Sequence, residues 1–115
     1  MAIQPIEATV RTHDGAAVID LKGEIDASGE SALNAAYAGA IAGKPGLVML
    51  NFSGVTYMNS TGIALIVGLL AQARKQKHRL VTFGLSDHYR EIFEITRLSD
   101  FMTLYASEQA ALAGE

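Results

Sequence analysis

Asn59, Ser60 and Thr61 stand side by side and are followed by Gly62. Each of the three polar side chains is short enough to cap a helix. A serine hydroxyl among them can also serve as a nucleophile or as a phosphoryl acceptor. Before the cluster, Leu47–Phe52 is an unbroken apolar run apart from Asn51, as expected of a strand covered on both faces. After it, Ile63–Leu70 opens an apolar helix expected from about Thr61 to Lys77. The cluster therefore falls where a strand hands over to a helix, and in an open α/β sheet such junctions meet ligands and partners. With Asn59 as the cap, Ser60 takes the first helical position and its hydroxyl points outward. A phosphate there would meet the unpaired N–H groups and the positive end of the helix. The same dianion would disrupt any complementary surface docked over this corner. Tolerated by the fold and disruptive to a partner, it would act as a switch.

An enzyme built on Ser60 would need a base, a group orienting that base, and an oxyanion site. His13, His78 and His88 show no spacing that ties them to Ser60. Neither a G-x-S-x-G elbow nor a G-x-x-x-x-G-K-[ST] phosphate loop is present, and no His/carboxylate spacing suggests a metal site. No catalytic residue, cofactor or metal is expected.

The elements that must hold the corner can be read in order. Ile6, Ala8 and Val10 alternate with polar residues, the period of a half-exposed strand. Asp14-Gly15 is a strong hairpin signal, and Ala17, Ile19 and Leu21 continue on a second strand. Gly23–Ser28 is expected as an acidic loop in which Asp26 or Ser28 caps a helix carrying Leu33, Ala36, Tyr37, Ala40 and Ile41 inward. The apolar start of the helix after Ser60 suggests packing on both the sheet and neighbouring helices. Its basic end, Arg74, Lys75, Lys77, His78 and Arg79, suits solvated cations at a helix C-terminus. A short strand follows at Leu80–Gly84. Ser86-Asp87 then caps a helix placing Tyr89, Ile92, Phe93 and Thr96 in the core. A last strand at Met102–Tyr105 and a small helix capped by Ser107 close the chain. The fold class is α/β, β-β-α-β-α-β-α-β-α, with a mostly parallel mixed sheet, an N-terminal antiparallel hairpin and about four helices.

The 115 residues are half hydrophobic with a net charge of −3, which suits one packed domain and argues against a nucleic-acid surface. No cysteine is present, in keeping with a reducing cytoplasm. Met1–Pro5 lacks a leader pattern, and the apolar run Ile63–Ala71 is too short to span a bilayer, so membrane insertion is not expected.

Three stretches taken together resemble a known family. Gly23-Glu24-Ile25-Asp26, then Val48–Phe52, then Tyr57-Met58-Asn59-Ser60-Thr61-Gly62-Ile63 are similar to the STAS family, in particular the bacterial anti-sigma factor antagonists. Leu85-Ser86-Asp87 and Ile92–Leu98 match the family's third helix and the turn after it. The resemblance implies a single STAS-like domain over residues 1–115, with its core at about 8–112. It further implies that the unphosphorylated protein binds an anti-sigma factor with serine-kinase activity and so releases the sigma factor. Phosphorylation of Ser60 would abolish binding, and a PP2C-type phosphatase would restore it. Asn59, Thr61 and Gly62 would form the docking corner, with Glu24 and Asp26 as contacts to basic residues of the kinase. The protein would be a monomer or weak dimer. One departure stands out: many phosphorylatable members carry Asp immediately before the serine, where this chain has Asn59. The alternative is a constitutive, non-phosphorylated docking subunit of a signalling or transport complex.

Overall fold

The computed structural model describes residues 5–114; Met1–Gln4, which carry most of the N-terminal stretch discussed above, and Glu115 lie outside them. Strands β1 (Glu7–His13) and β2 (Ala16–Ile25) form the expected hairpin. Asp14 and Gly15 both take positive φ at its turn, 51° and 82°, the combination that a two-residue hairpin loop needs. Helix α1 (Glu30–Ala42), strand β3 (Val48–Met58), helix α2 (Ser60–Lys75), strand β4 (Leu80–Phe83), helix α3 (Asp87–Ile95), strand β5 (Leu104–Tyr105) and helix α4 (Glu108–Ala113) follow. The five strands lie in sequence order, β1 antiparallel to β2 and the remaining pairs parallel.

The sheet is covered unequally. Leu33 and Tyr37 of α1, Ile66 and Leu69 of α2 and Phe93 of α3 share one core with Ile19, Leu21, Leu50 and Phe52. On the opposite face Ala16, Val18, Met49 and Val81 pack against Ala111 of α4. Strand β3 is thus buried from both sides over Val48–Leu50, which explains its unbroken apolar start.

Several boundaries differ from those read in the sequence. Strand β3 does not stop at Phe52 but runs to Met58. Its pairing with β2 continues to Ile25↔Met58 through two register irregularities, whereas its pairing with β4 ends at Asn51↔Phe83. Two strands therefore project past the rest of the sheet. Ser53, Gly54, Thr56 and Tyr57 in the projection are exposed, so no apolar periodicity marks it as strand. For the same reason Gly23–Ile25, expected as loop, belongs to β2, and the turn begins only at Asp26.

Helix α2 begins at Ser60 rather than Thr61 and ends at Lys75. It is not covered all round: Ala64, Val67, Gly68 and Ala71 are exposed while Ile66, Leu69, Leu70 and Ala73 are buried. Thr96, expected in the core, is the exposed C-terminal cap of α3, its hydroxyl donating to the Ile92 carbonyl at 2.8 Å. Strand β1 is the edge of the sheet, and there Val10 is 40% exposed although Ile6 is buried.

Candidate functional site

The projecting ends of β2 and β3 place their last residues against the first turn of α2. Asn59 has extended backbone, φ −91° and ψ −179°, and its side-chain oxygen accepts the Gly62 N–H at 2.8 Å. The Asn59 carbonyl accepts the Ile63 N–H at 2.9 Å, the first intrahelical bond. Among the described residues, the N–H groups of Ser60 and Thr61 then have no acceptor at the positive end of a 16-residue helix. Ser60 and Thr61 are both exposed, and among the described residues neither side chain makes a hydrogen bond within the chain. Ser60 thus occupies the first helical position with its hydroxyl on the surface.

Gly62 lies beneath the corner rather than on it. A Cβ at this position would sit 2.0 Å from the Ile25 carbonyl oxygen and 2.6 Å from its carbon, so the helix start can approach the end of β2 only because there is no side chain. Asn59 N–H completes the contact, donating to the same Ile25 carbonyl at 3.3 Å. Ile25 in turn sits between Glu24 and Asp26, which flank the corner at the end of the neighbouring strand. Glu24 is half-buried and faces Tyr57 in register. Asp26, also half-buried, caps the 3₁₀ turn Ala27–Gly29. The Ser28 hydroxyl, and then the Ser28 backbone N–H, hold its carboxyl below the usual carboxylate range, so it is ionised at neutral pH. The structure accordingly gathers Glu24, Asp26, Asn59, Ser60 and Thr61 at one end of the molecule, with Gly62 as the spacer.

Tyr89 was not singled out in the sequence as part of this corner. Its hydroxyl accepts the Met58 N–H at 2.8 Å in a buried position, fixing the peptide immediately before Asn59 from α3. The available signal was a tyrosine at a core-facing position of that helix, since a buried phenol needs a polar partner. Tyr57, quoted with the motif but given no role there, is 48% exposed beside the corner.

The histidines contact other groups. His13 Nδ1 bonds Glu108 on the α4 side of the sheet, and the His88 ring meets Tyr89 edge-on at 4.8 Å. Among the described residues no histidine is hydrogen-bonded to Ser60, and no group of three or more His, Cys, Asp or Glu is placed to hold a metal. No helix among them is long and apolar enough to cross a membrane.

A family model described as "Mlab, STAS domain" matches residues 8–105. The chain belongs to the STAS domain family. Among curated relatives, this STAS domain is 42% identical over 62 residues to the anti-sigma-B factor antagonist of Listeria monocytogenes, covering 53% of this chain and 54% of the relative. It is 40% identical over 55 residues to the anti-sigma-B factor antagonist of Staphylococcus aureus, covering 48% and 51%. The chain thus spans about half the length of the curated relatives it matches. Among solved structures, an anti-sigma factor antagonist from Mycobacterium paratuberculosis superposes with a TM-score of 0.82 at 24% identity, over 98% of this chain and 97% of that one. The Bacillus cell fate determinant SpoIIAA in its phosphorylated form gives 0.69 at 23% identity, over 94% and 99%. These likenesses establish the fold.

Proposed function

We propose that this STAS domain is an anti-sigma factor antagonist controlled at Ser60. Unphosphorylated, it binds an anti-sigma factor that is also a serine kinase, and the sigma factor is released. The kinase transfers the γ-phosphoryl group of ATP to the Ser60 oxygen, the hydroxyl proton being lost and ADP leaving. Binding then ends, until a PP2C-type phosphatase hydrolyses the ester. The observation that carries this reading is the position of Ser60: first in α2, exposed, with Asn59 as cap and the helix-start N–H groups beside it. A phosphate is accommodated there with little rearrangement, while the surface changes by about two negative charges. The names of the Listeria and Staphylococcus relatives support the partner class. Glu24, Asp26 and Thr61 are the contacts offered to the kinase, and the domain works in the cytoplasm.

A second reading is favoured by one residue. Asn59 stands where many phosphorylatable members carry Asp, and the matching family model bears a different description from the antagonists. On that reading the domain docks constitutively through the same corner and is never phosphorylated. Intact-mass measurement separates the two. The protein and its Ser60→Ala variant would be recovered from the native host under resting and stressed conditions. One phosphate in one condition, absent from the variant, is the expected result; its absence in every condition would favour the constitutive module.

A further inference from the structure

The exposed side of α2 does not end at the corner. From Ser60 it continues through Ala64, Val67, Gly68 and Ala71, one face of the helix, over roughly 17 Å at 1.5 Å per residue. This apolar face leads into a groove of about 290 Å³ between the second half of α2 and the turn after α3. Leu70 and Leu98, both buried, lie at its base, and Val67 and Phe101, 44% and 57% exposed, form its walls. Arg74 and Arg97 stand at the rim. The Arg74 guanidinium lies 5.1 Å from the centre of the Phe101 ring, which keeps the ring beside the groove. Among the described residues Arg74 has no carboxylate partner, and Arg97 gives only its Nε to Asp100 at 3.0 Å. Lys75 and Lys77, both exposed, extend the positive charge around the same end of α2. With Arg74 and Arg97 they are four of the nine cations in a chain of net charge −3.

The docking face is therefore polarised. Glu24 and Asp26 lie at its Ser60 end and the arginines at the other, with small apolar residues between. We propose that the groove receives an apolar side chain flanked by carboxylates, carried on an amphipathic helix of the anti-sigma partner that lies along α2. The inference rests on the partner class proposed above. Charge selects the occupant: carboxylates answer Arg74 and Arg97, and basic residues at the opposite end of the partner helix answer Glu24 and Asp26. At about 290 Å³ the groove falls at the lower limit of small-ligand pockets and has room for one large side chain. The small residues at positions 64, 68 and 71 let a second helix approach closely.

The test uses the host's purified anti-sigma factor of the serine-kinase class and four forms of the full chain: wild type, Ser60→Asp, Val67→Glu and Arg97→Gly. Arg97 sits at φ +65°, where glycine is the easier residue, so its replacement removes the cation without straining the backbone. Val67→Glu sets a like charge against the partner's carboxylates. Both groove variants should melt no lower than wild type within a few degrees, yet bind about tenfold more weakly or worse. Wild-type affinity in both, with Ser60→Asp defective, would overturn the groove assignment and leave the proposed function standing. Failure of wild type to bind would overturn both. Saturable binding of free dodecanoate that Val67→Glu abolishes, without any effect on partner binding, would assign the groove to a small anionic amphiphile instead.

Discussion

A Cβ on Gly62 would lie 2.0 Å from the carbonyl oxygen of Ile25. This contact joins the two stretches of sequence from which the corner is made, one ending β2 and the other starting α2. Because the clash would be with backbone, no side-chain rotation relieves it. Gly62→Ala should destabilise the domain by roughly 3 kcal/mol or more, above the usual cost of one added methyl group in a packed interior. Urea denaturation measures this; a loss below about 1 kcal/mol would mean that the helix start moves freely away from Ile25.

Tyr89 holds the corner from the other side. Tyr89→Phe leaves the Met58 N–H buried without its 2.8 Å acceptor, at a cost of about 1–3 kcal/mol. The specific readout is amide hydrogen exchange at Met58, which should accelerate more than exchange in the central part of β3. Uniform acceleration would indicate general loosening instead.

Ser60 should tolerate a negative charge. An anion in the first turn of a helix is favourable by about 0.3–1 kcal/mol, so Ser60→Asp should melt at or slightly above the wild-type temperature. A drop of more than a few degrees would contradict an exposed hydroxyl at the first helical position.

Acid should loosen α4 before the rest of the domain. Arg11 bridges Asp20 and Glu108, with N···O distances of 2.6 Å and 2.7 Å, and His13 bonds Glu108 as well. The Arg11 hydrogen bond, with that of His13, holds the Glu108 carboxyl at about 2 instead of 4.5. A depressed folded pKa stabilises above the unfolded value, and that contribution is lost as pH falls from about 4.5 toward about 2. Because Arg11 is substantially exposed, solvent screening reduces the gain to about 1 kcal/mol. Urea unfolding at pH 6 and pH 3 should show this difference shrinking in Glu108→Gln; an unchanged difference would remove the network from the acid response.

Much of this molecule was legible because the signals were local. Asp14-Gly15 specifies its hairpin through backbone conformation, and Asn59, Ser86 and Ser107 each cap the helix expected of them. The order of elements and the mixed sheet followed from those signals and from apolar runs. The extension of β3 to Met58 was hidden because exposed residues in a two-stranded projection carry no apolar alternation. The open face of α2 was hidden for the opposite reason: Ala64, Val67 and Ala71 are apolar, and composition alone suggested that they were covered. The role of Gly62 and the hydroxyl contact of Tyr89 depend on which residues meet across the fold, Met58 and Tyr89 being 31 positions apart. The Arg11–Glu108 bridge spans 97 positions, and no local pattern could announce it.

On the proposed switch, one phosphate on Ser60 abolishes partner binding while leaving the fold intact. The most direct measurement compares purified unphosphorylated protein with protein phosphorylated only at Ser60, by titration against the host's anti-sigma factor and by thermal melting. Loss of binding by about a hundredfold with a melting temperature changed by no more than a few degrees is expected, a hundredfold corresponding to about 2.7 kcal/mol. Equal affinity of the two forms would contradict the proposed switch and leave Ser60 as a helix-start residue without a switching role.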